Sequence, residues 1–426
     1  MTVVRWRWVS AAAIAALTNA SGSGAAFASG FALREGATDW MANAFAGETA
    51  KAYDASTAYA NPAGMVRLDQ TELDGSLNGI FPTVNFSGTN LLNGAPVAGT
   101  TAGNDIQSVA DPAQFGVYNF SPDLKFGFSV TGPFGQRTTY ANDFVGRYQA
   151  LVSSITDVAV SASAAYRIDD HFSIGAGPVL DWFYTRLTQA LNLGPLGEGA
   201  VDVHGQEISA GFNIGGLYQF DPFTRIGIDY RSRIKQDVTV TQAISPPATN
   251  PVIAAAIAAQ SATGKTDVTL PDSLTVGFYH QIDQQWAVMS DVQWTHWSLL
   301  QNVTITTQNG APPTVIPENW RDTVFVSIGS SYQATDKLLL QGGLYYDESP
   351  VTNANRTSRL PDSNRYGIGV GLTYAAFRNV DLQAAYLHVF FPTSTINETT
   401  SPTSGTLVGK YSVSTNIASI GIRVRF

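Results

Sequence analysis

The chain has 426 residues, 44% of them hydrophobic and only 13% charged, with a formal net charge of −9 and no cysteine. A soluble protein carries about 25% charged residues, so roughly half the usual solubilising surface is missing and something other than water must cover part of the molecule. The acidic balance disfavours a nucleic-acid partner, and the absence of cysteine removes disulfides and thiolate metal sites.

Residues 1–28 join Arg5 and Arg7 to the mostly apolar stretch Val9 to Leu17 and end on Ala26-Phe27-Ala28. These are the three parts of a secretory signal peptide, which predicts a mature chain beginning near Ser29. Past this leader the longest apolar run is Val252 to Ala259, far short of the ~20 residues a membrane helix needs. Helical spans are therefore excluded. The class that hides apolar surface without long runs is the transmembrane β-barrel, whose lipid-facing and lumen-facing residues alternate. Residues 31–69 do not alternate; they are rich in Ala with scattered charges and an Asn61-Pro62 turn signal. We expect residues 29–70 to form a compact, helix-prone plug inside a barrel made by residues 71–426. Asn61, Pro62 and Ala63 are expected to fix a turn that holds this plug against the wall near the strand that Gly132-Pro133 breaks.

Alternation begins after residue 71. Leu124, Phe126, Phe128 and Val130 alternate with Lys125, Gly127, Ser129 and Thr131. Gly132-Pro133-Phe134 follows, and a proline without an N–H belongs at a bulge or an edge. Either the wall pairing breaks here or Pro133 ends the strand at the rim. Val158 to Arg167, Ile208 to Tyr218, Ile226 to Arg231 and Gly367 to Tyr374 repeat the period of two. Weaker segments near 73–86, 114–120, 172–186, 270–282, 286–297, 323–333, 337–347 and 379–390 bring the total to about fourteen strands. The last strand sets Ile420, Ile422, Val424 and Phe426 against Gly421, Arg423 and Arg425. An Arg facing lipid at mid-bilayer costs ~2 to 4 kcal/mol, so both arginines must line the interior or lie near the rim. Trp182, Tyr184, Trp286, Trp294, Trp297, Tyr345 and Tyr346 suit interfacial aromatic girdles. Two connections stand out: Leu187 to Gly205, and Thr241 to Thr266 with its short apolar helix candidate carrying Ile253 and Ile257. Exposed apolar surface marks an interaction site, and both connections read as a greasy entry groove.

Enzymatic constellations are missing from the sequence. The five histidines, His171, His204, His280, His296 and His388, fall in no G-x-S-x-G or H-E-x-x-H context. Gly264-Lys265-Thr266 lacks the glycine a P-loop requires five residues earlier, where Ala259 stands. A barrel enzyme acting on lipid and a general porin are the rival classes.

The order Ser29-Gly30-Phe31-Ala32-Leu33-Arg34-Glu35, Ala46-Gly47, Asp54-Ala55-Ser56-Thr57 and Asn61-Pro62-Ala63-Gly64 resembles the N-terminal plug of the FadL-type long-chain fatty acid and hydrocarbon transporters. Gly146-Arg147-Tyr148, Leu270-Pro271-Asp272-Ser273, Trp294-Thr295-His296-Trp297-Ser298, Asn319-Trp320-Arg321-Asp322, Tyr346-Asp347-Glu348-Ser349-Pro350-Val351 and Pro361-Asp362-Ser363-Asn364-Arg365-Tyr366 follow in the same order. The resemblance implies a fourteen-stranded, all-β antiparallel barrel in a Gram-negative outer membrane, occluded by an N-terminal hatch and without enzymatic activity or cofactor. It implies passive uptake: capture of a hydrophobic ligand on apolar extracellular loops, transfer to a hatch-proximal site, and sideways exit where the third strand is kinked, at Gly132, Pro133 and Phe134. Long-chain fatty acid is the expected cargo and alkane or monoaromatic hydrocarbon the alternative. Ile253, Ile257 and Trp320 are the expected apolar contacts. Arg321 resembles a basic position near the family's inner site and Arg186 sits close to another; either equally suits a lumen ion pair with Asp181 or Asp322. Membrane lipid and lipopolysaccharide, and the barrel-assembly machinery reached through Phe426, are the further expected partners of a monomer.

Overall fold

The computed structural model describes residues 29–101, 108–246 and 251–426, apart from the side chains of residues 252 and 253. The leader expected over 1–28 lies outside the described residues. Among the described residues, fourteen staves close into one antiparallel barrel. They are β1 (Glu72–Leu92), β2 (Val109–Asn119), β3 (Leu124–Thr131, resuming as Gly135–Thr139), β4 (Val152–Arg167), β5 (Phe172–Asn192), β6 (Glu198–Gln219) and β7 (Thr224–Arg231 and Ile234–Ser245). The ring continues through β8 (Ala262–Leu270 and Ser273–Gln281), β9 (Trp286–Thr295), β10 (Thr323–Thr335), β11 (Leu338–Asp347), β12 (Arg365–Phe377), β13 (Val380–Phe390) and β14 (Thr406–Arg425). It closes when β14 pairs with β1 from Glu72↔Arg425 to Leu91↔Thr406.

The alternation read from the sequence sets the two faces of this wall. Leu77, Phe126, Phe128, Val160, Ile208, Phe212, Ile368 and Ile420 are exposed on the outside, where hydrocarbon covers them. Asp74, Ser76, Asn78, Ser129, Ser161 and Ser419 are buried on the inside. Arg423 and Arg425 take the inner face as expected, and both pair with Asp381. Tyr345 and Trp297 depart from the girdle expectation, because both are buried. Tyr345 packs on Phe45 and Phe325 inside the ring, while its neighbour Tyr346 faces Tyr366 on the other side of the wall. The expected connection Leu187 to Gly205 is largely strand: β5 runs to Asn192 and β6 starts at Glu198, leaving only a short turn at the tip.

Residues 29–68 are mostly buried and carry short helices at Thr38–Ala42 and Thr57–Ala60 and a 3-10 turn at Pro62–Arg67. Their contacts reach every stave in turn. Asn78 of β1 donates to the Glu35 carbonyl at 2.6 Å, Trp40 packs on Phe115 of β2, and the Thr38 and Ser419 hydroxyls meet at 2.7 Å on β14. Across the ring, Arg225 of β7 donates to the Ala50 carbonyl at 2.6 Å and Asn43 donates to the Ser330 carbonyl of β10 at 2.8 Å. A segment touching all the staves lies across the lumen.

Candidate functional site

The wall is incomplete around a short stretch. β2 and β3 pair from Asn119↔Lys125 only as far as Gln114↔Val130. On its other side, β3 pairs with β4 as far as Thr131↔Ala159, then resumes at Gly135↔Thr156. Gly132, Pro133 and Phe134 fall between these two ladder segments. Facing them, Val109 to Ala113 of β2 pair with β1 alone among the described residues. Pro112 stands in that stretch, so a second residue without an N–H borders the gap. The sequence reading passed over it, although its Asp111-Pro112 step was the available signal. The missing partner is supplied from inside: the Leu33 amide donates to the Pro133 carbonyl and the Gly135 amide to the Phe31 carbonyl, both at 2.8 Å.

Above this seam the N-terminal segment seats an aromatic group. Phe31 packs edge-on against Trp297 at 4.9 Å between centroids and against Phe134 at 5.9 Å, and tilted against Trp320 at 5.5 Å. Gly30 makes the turn into this box at φ +62°, and a Cβ there would press to 2.6 Å from the Trp320 ring. Its amide donates to Asp362 Oδ2 at 3.0 Å, which the Ser349 hydroxyl also reaches at 2.7 Å. Burial pushes the Asp362 carboxyl up to about 6. Trp320 Nε1 donates to Glu318 at 3.0 Å, whereas the buried Trp297 Nε1 has no partner among the described residues.

Below the box lies a cavity of about 130 Å³, bordered by Ala32 to Gly36, by Thr131 to Phe134 and by Val179, Phe212, Ile234 and Leu270. It therefore touches the seam, the N-terminal segment and the apolar wall at once. An apolar cavity of roughly this size holds one aromatic ring, so it accommodates a ring or a short stretch of an alkyl chain.

The closed antiparallel barrel is matched by known proteins. The family model described as outer membrane protein transport protein (OMPP1/FadL/TodX) matches residues 19–426. The chain belongs to this family. It is 26% identical over 401 residues to the long-chain fatty acid transport protein of Escherichia coli K12, covering 85% of this chain and 88% of that one. Its fold is that of a Pseudomonas aeruginosa FadL homologue, with a TM-score of 0.86 at 22% identity over 93% of this chain and the whole of the other. The toluene transporter TbuX of Ralstonia pickettii also shares it, with a TM-score of 0.67 at 20% identity over 92% of this chain and 99% of that one. The protein is thus an outer membrane transport protein of the FadL type.

Within this FadL-type barrel the residues singled out from sequence are distributed unevenly. Gly132, Pro133 and Phe134 border the cavity and Trp320 closes the aromatic box above it. Asn61 caps the 3-10 turn by accepting from the Ala63 amide, and donates to the Thr49 carbonyl at 2.8 Å and to the Gly216 carbonyl of β6 at 3.1 Å. The turn at Asn61, Pro62 and Ala63 is held against β5 and β6, and its Met65 lies against Gly127 of β3, while residues 31–33 contact the break in that strand. Neither arginine enters the cavity. Arg186 is about half exposed and pairs with Asp202 at 2.7 Å, not with Asp181. Arg321 is exposed and donates to the Ser349 carbonyl at 3.3 Å, while Asp322 accepts from the Ser298 amide. The apolar helix spans Pro251–Ala258 with Ile257 half-buried; the Ile253 side chain lies outside the described residues.

Proposed function

We propose that this protein takes up hydrophobic compounds passively, long-chain fatty acids first among them, by moving them from the apolar helix at Pro251–Ala258 through the aromatic box to the cavity and out sideways through the β2–β3 gap. The observation that carries this reading is the seam itself: β3 loses β2 as a partner beyond Val130, and three N-terminal residues take its place. The names of the E. coli and R. pickettii relatives support a hydrophobic cargo. Keeping a sixteen-carbon chain in water costs on the order of 12 kcal/mol relative to an apolar site. A wide aqueous pore does nothing to offset that cost, and a succession of apolar sites does. Neutral hydrocarbon is the second reading, favoured by the absence of both candidate arginines from the cavity.

The test is a Gly132→Val, Pro133→Thr double replacement, which restores an N–H and two β-forming side chains to the break. Uptake of radiolabelled oleate in cells lacking their own transporter is expected to fall at least about tenfold while the barrel keeps its heat-modifiable migration on gels. Uptake at the wild-type rate by the folded variant rejects sideways exit.

A further inference from the structure

The wall breaks a second time, between β6 and β7. Their ladder runs from Gln219↔Arg225 to Asn213↔Arg231 and resumes only at Gln206↔Thr239. Phe212 and Ser232 keep two hydrogen bonds, from the Ser232 amide to the Phe212 carbonyl and from the Phe212 amide to Ser232 Oγ, both at 2.9 Å. Among the described residues no ladder pair joins the rest of 207–212 to the rest of 232–238. β7 leans inward there, since Gln236 reaches past β6 to donate to Asp181 of β5 at 2.6 Å. β8 is interrupted beside it at Pro271-Asp272.

This break faces the same cavity as the first. Phe212, Ser232, Ile234 and Pro271 border the cavity, as Gly132, Pro133 and Phe134 do at the seam. The register Thr131↔Ala159, Ala159↔Asp181 and Asp181↔Ser209 leads from the end of the first segment of β3 to the middle of the second break. Ile208 and Phe212 are 65% and 52% exposed on the outer face, which puts the break in the apolar band that lipid covers. What fills the two breaks differs. At the seam the backbone of the N-terminal segment is hydrogen-bonded into the gap. Here the filler is one side chain: Ile234, buried in an apolar cluster with Val179 and Leu270, covers Gly211, where a Cβ would come to 2.7 Å from Ile234 Cγ1. A side chain moves aside by changing rotamer, with no backbone hydrogen bond to break.

We propose that the β6–β7 break is a second side port, stoppered by Ile234, through which hydrophobic compounds already dissolved in the outer membrane enter the cavity. The inference rests on the uptake reading and adds a membrane-side entrance to the route from the extracellular loops. Apolar solutes leave water for hydrocarbon, so a port opening into the bilayer meets its cargo at a higher concentration than a loop in water does.

The experiment closes and opens this port. Gly211→Cys, Ile234→Cys puts the only two cysteines of the chain within reach of a disulfide across the break. Oleate uptake by cells carrying this variant is expected to fall at least about threefold on oxidation with copper phenanthroline and to recover on reduction, while cells carrying the wild type do not respond. Ile234→Ala removes the stopper and is expected to raise uptake at least about twofold, a direction that lost packing alone does not produce. Equal uptake by the fully cross-linked protein and its reduced form overturns the inference. If the cysteine pair does not fold, Ile234→Ala at or below the wild-type rate overturns it. Either result leaves the uptake reading standing. Wild-type uptake no faster than that of cells without the protein overturns the uptake reading and this inference together.

Discussion

A Cβ on Gly343 of β11 would overlap the Asn43 carbonyl oxygen, and one on Gly215 of β6 would overlap the Asn61 side chain. The small residues on the inner face of the staves leave room for the N-terminal segment. A Gly343→Leu replacement is expected to destabilise the folded protein by roughly 1 to 3 kcal/mol through overpacking, read as a lower temperature of heat modification and faster hydrogen exchange over residues 38–50. Glu318 gives a second prediction at this scale. It lies outside the membrane-spanning staves, and burial pushes its carboxyl up to about 7 despite the hydrogen bond from Trp320. A folded-state value above the ordinary one means the folded chain binds the proton more tightly than the unfolded chain. Its contribution to stability is therefore greatest below about pH 4.5 and declines as pH rises toward 7. Glu318→Gln is expected to flatten that part of the curve of unfolding midpoint against pH. Arg186 and Arg321, read from sequence as suiting either a carboxylate ligand or an ion pair, are engaged by Asp202 and by the Ser349 carbonyl.

Among the elements, strands were legible where lipid touches them. There the bilayer forces one face to be apolar, so Phe126, Phe128, Ile208 and Phe212 announce their staves. Beyond the bilayer that constraint disappears. The outer ends of β5 and β6 carry Thr188, Gln189, Asp202 and His204 with no lipid face to pattern them, and the sequence there reads as a loop although the ladder runs to Asn192↔Glu198. The helix at Pro251–Ala258 was legible for the opposite reason, since a compact apolar run after the prolines at 246, 247 and 251 has no period of two. Replacing Ile257 with Asp puts a charge on this half-buried position. It is expected to lower oleate uptake severalfold and leave the folded barrel's gel migration unchanged, which separates an entry role from a packing role.

For the whole molecule, fold class follows from composition and period, because few charges, no long apolar helix and repeated alternation admit little else. The cavity does not follow. Its carboxyls come from positions 35, 48, 181 and 229, and only ring closure by β1 and β14 together with the inward fold of the plug brings them to one place. Aromatic residues of the box are scattered in the same way, at 31, 134, 297 and 320. Removing residues 30–66 is expected to leave a ring with a polar, unfilled lumen, seen as ionic conductance in a planar bilayer at least about tenfold above that of the intact protein.

The seam at Gly132 lies in the side of the cylinder, where Phe31 and Leu33 fill it. On the proposed sideways route, cargo is delivered into hydrocarbon and never has to dissolve in the compartment beneath. The membrane leaflet would then serve as a reservoir that fills by partition alone, with net flow set by how fast downstream consumption drains it.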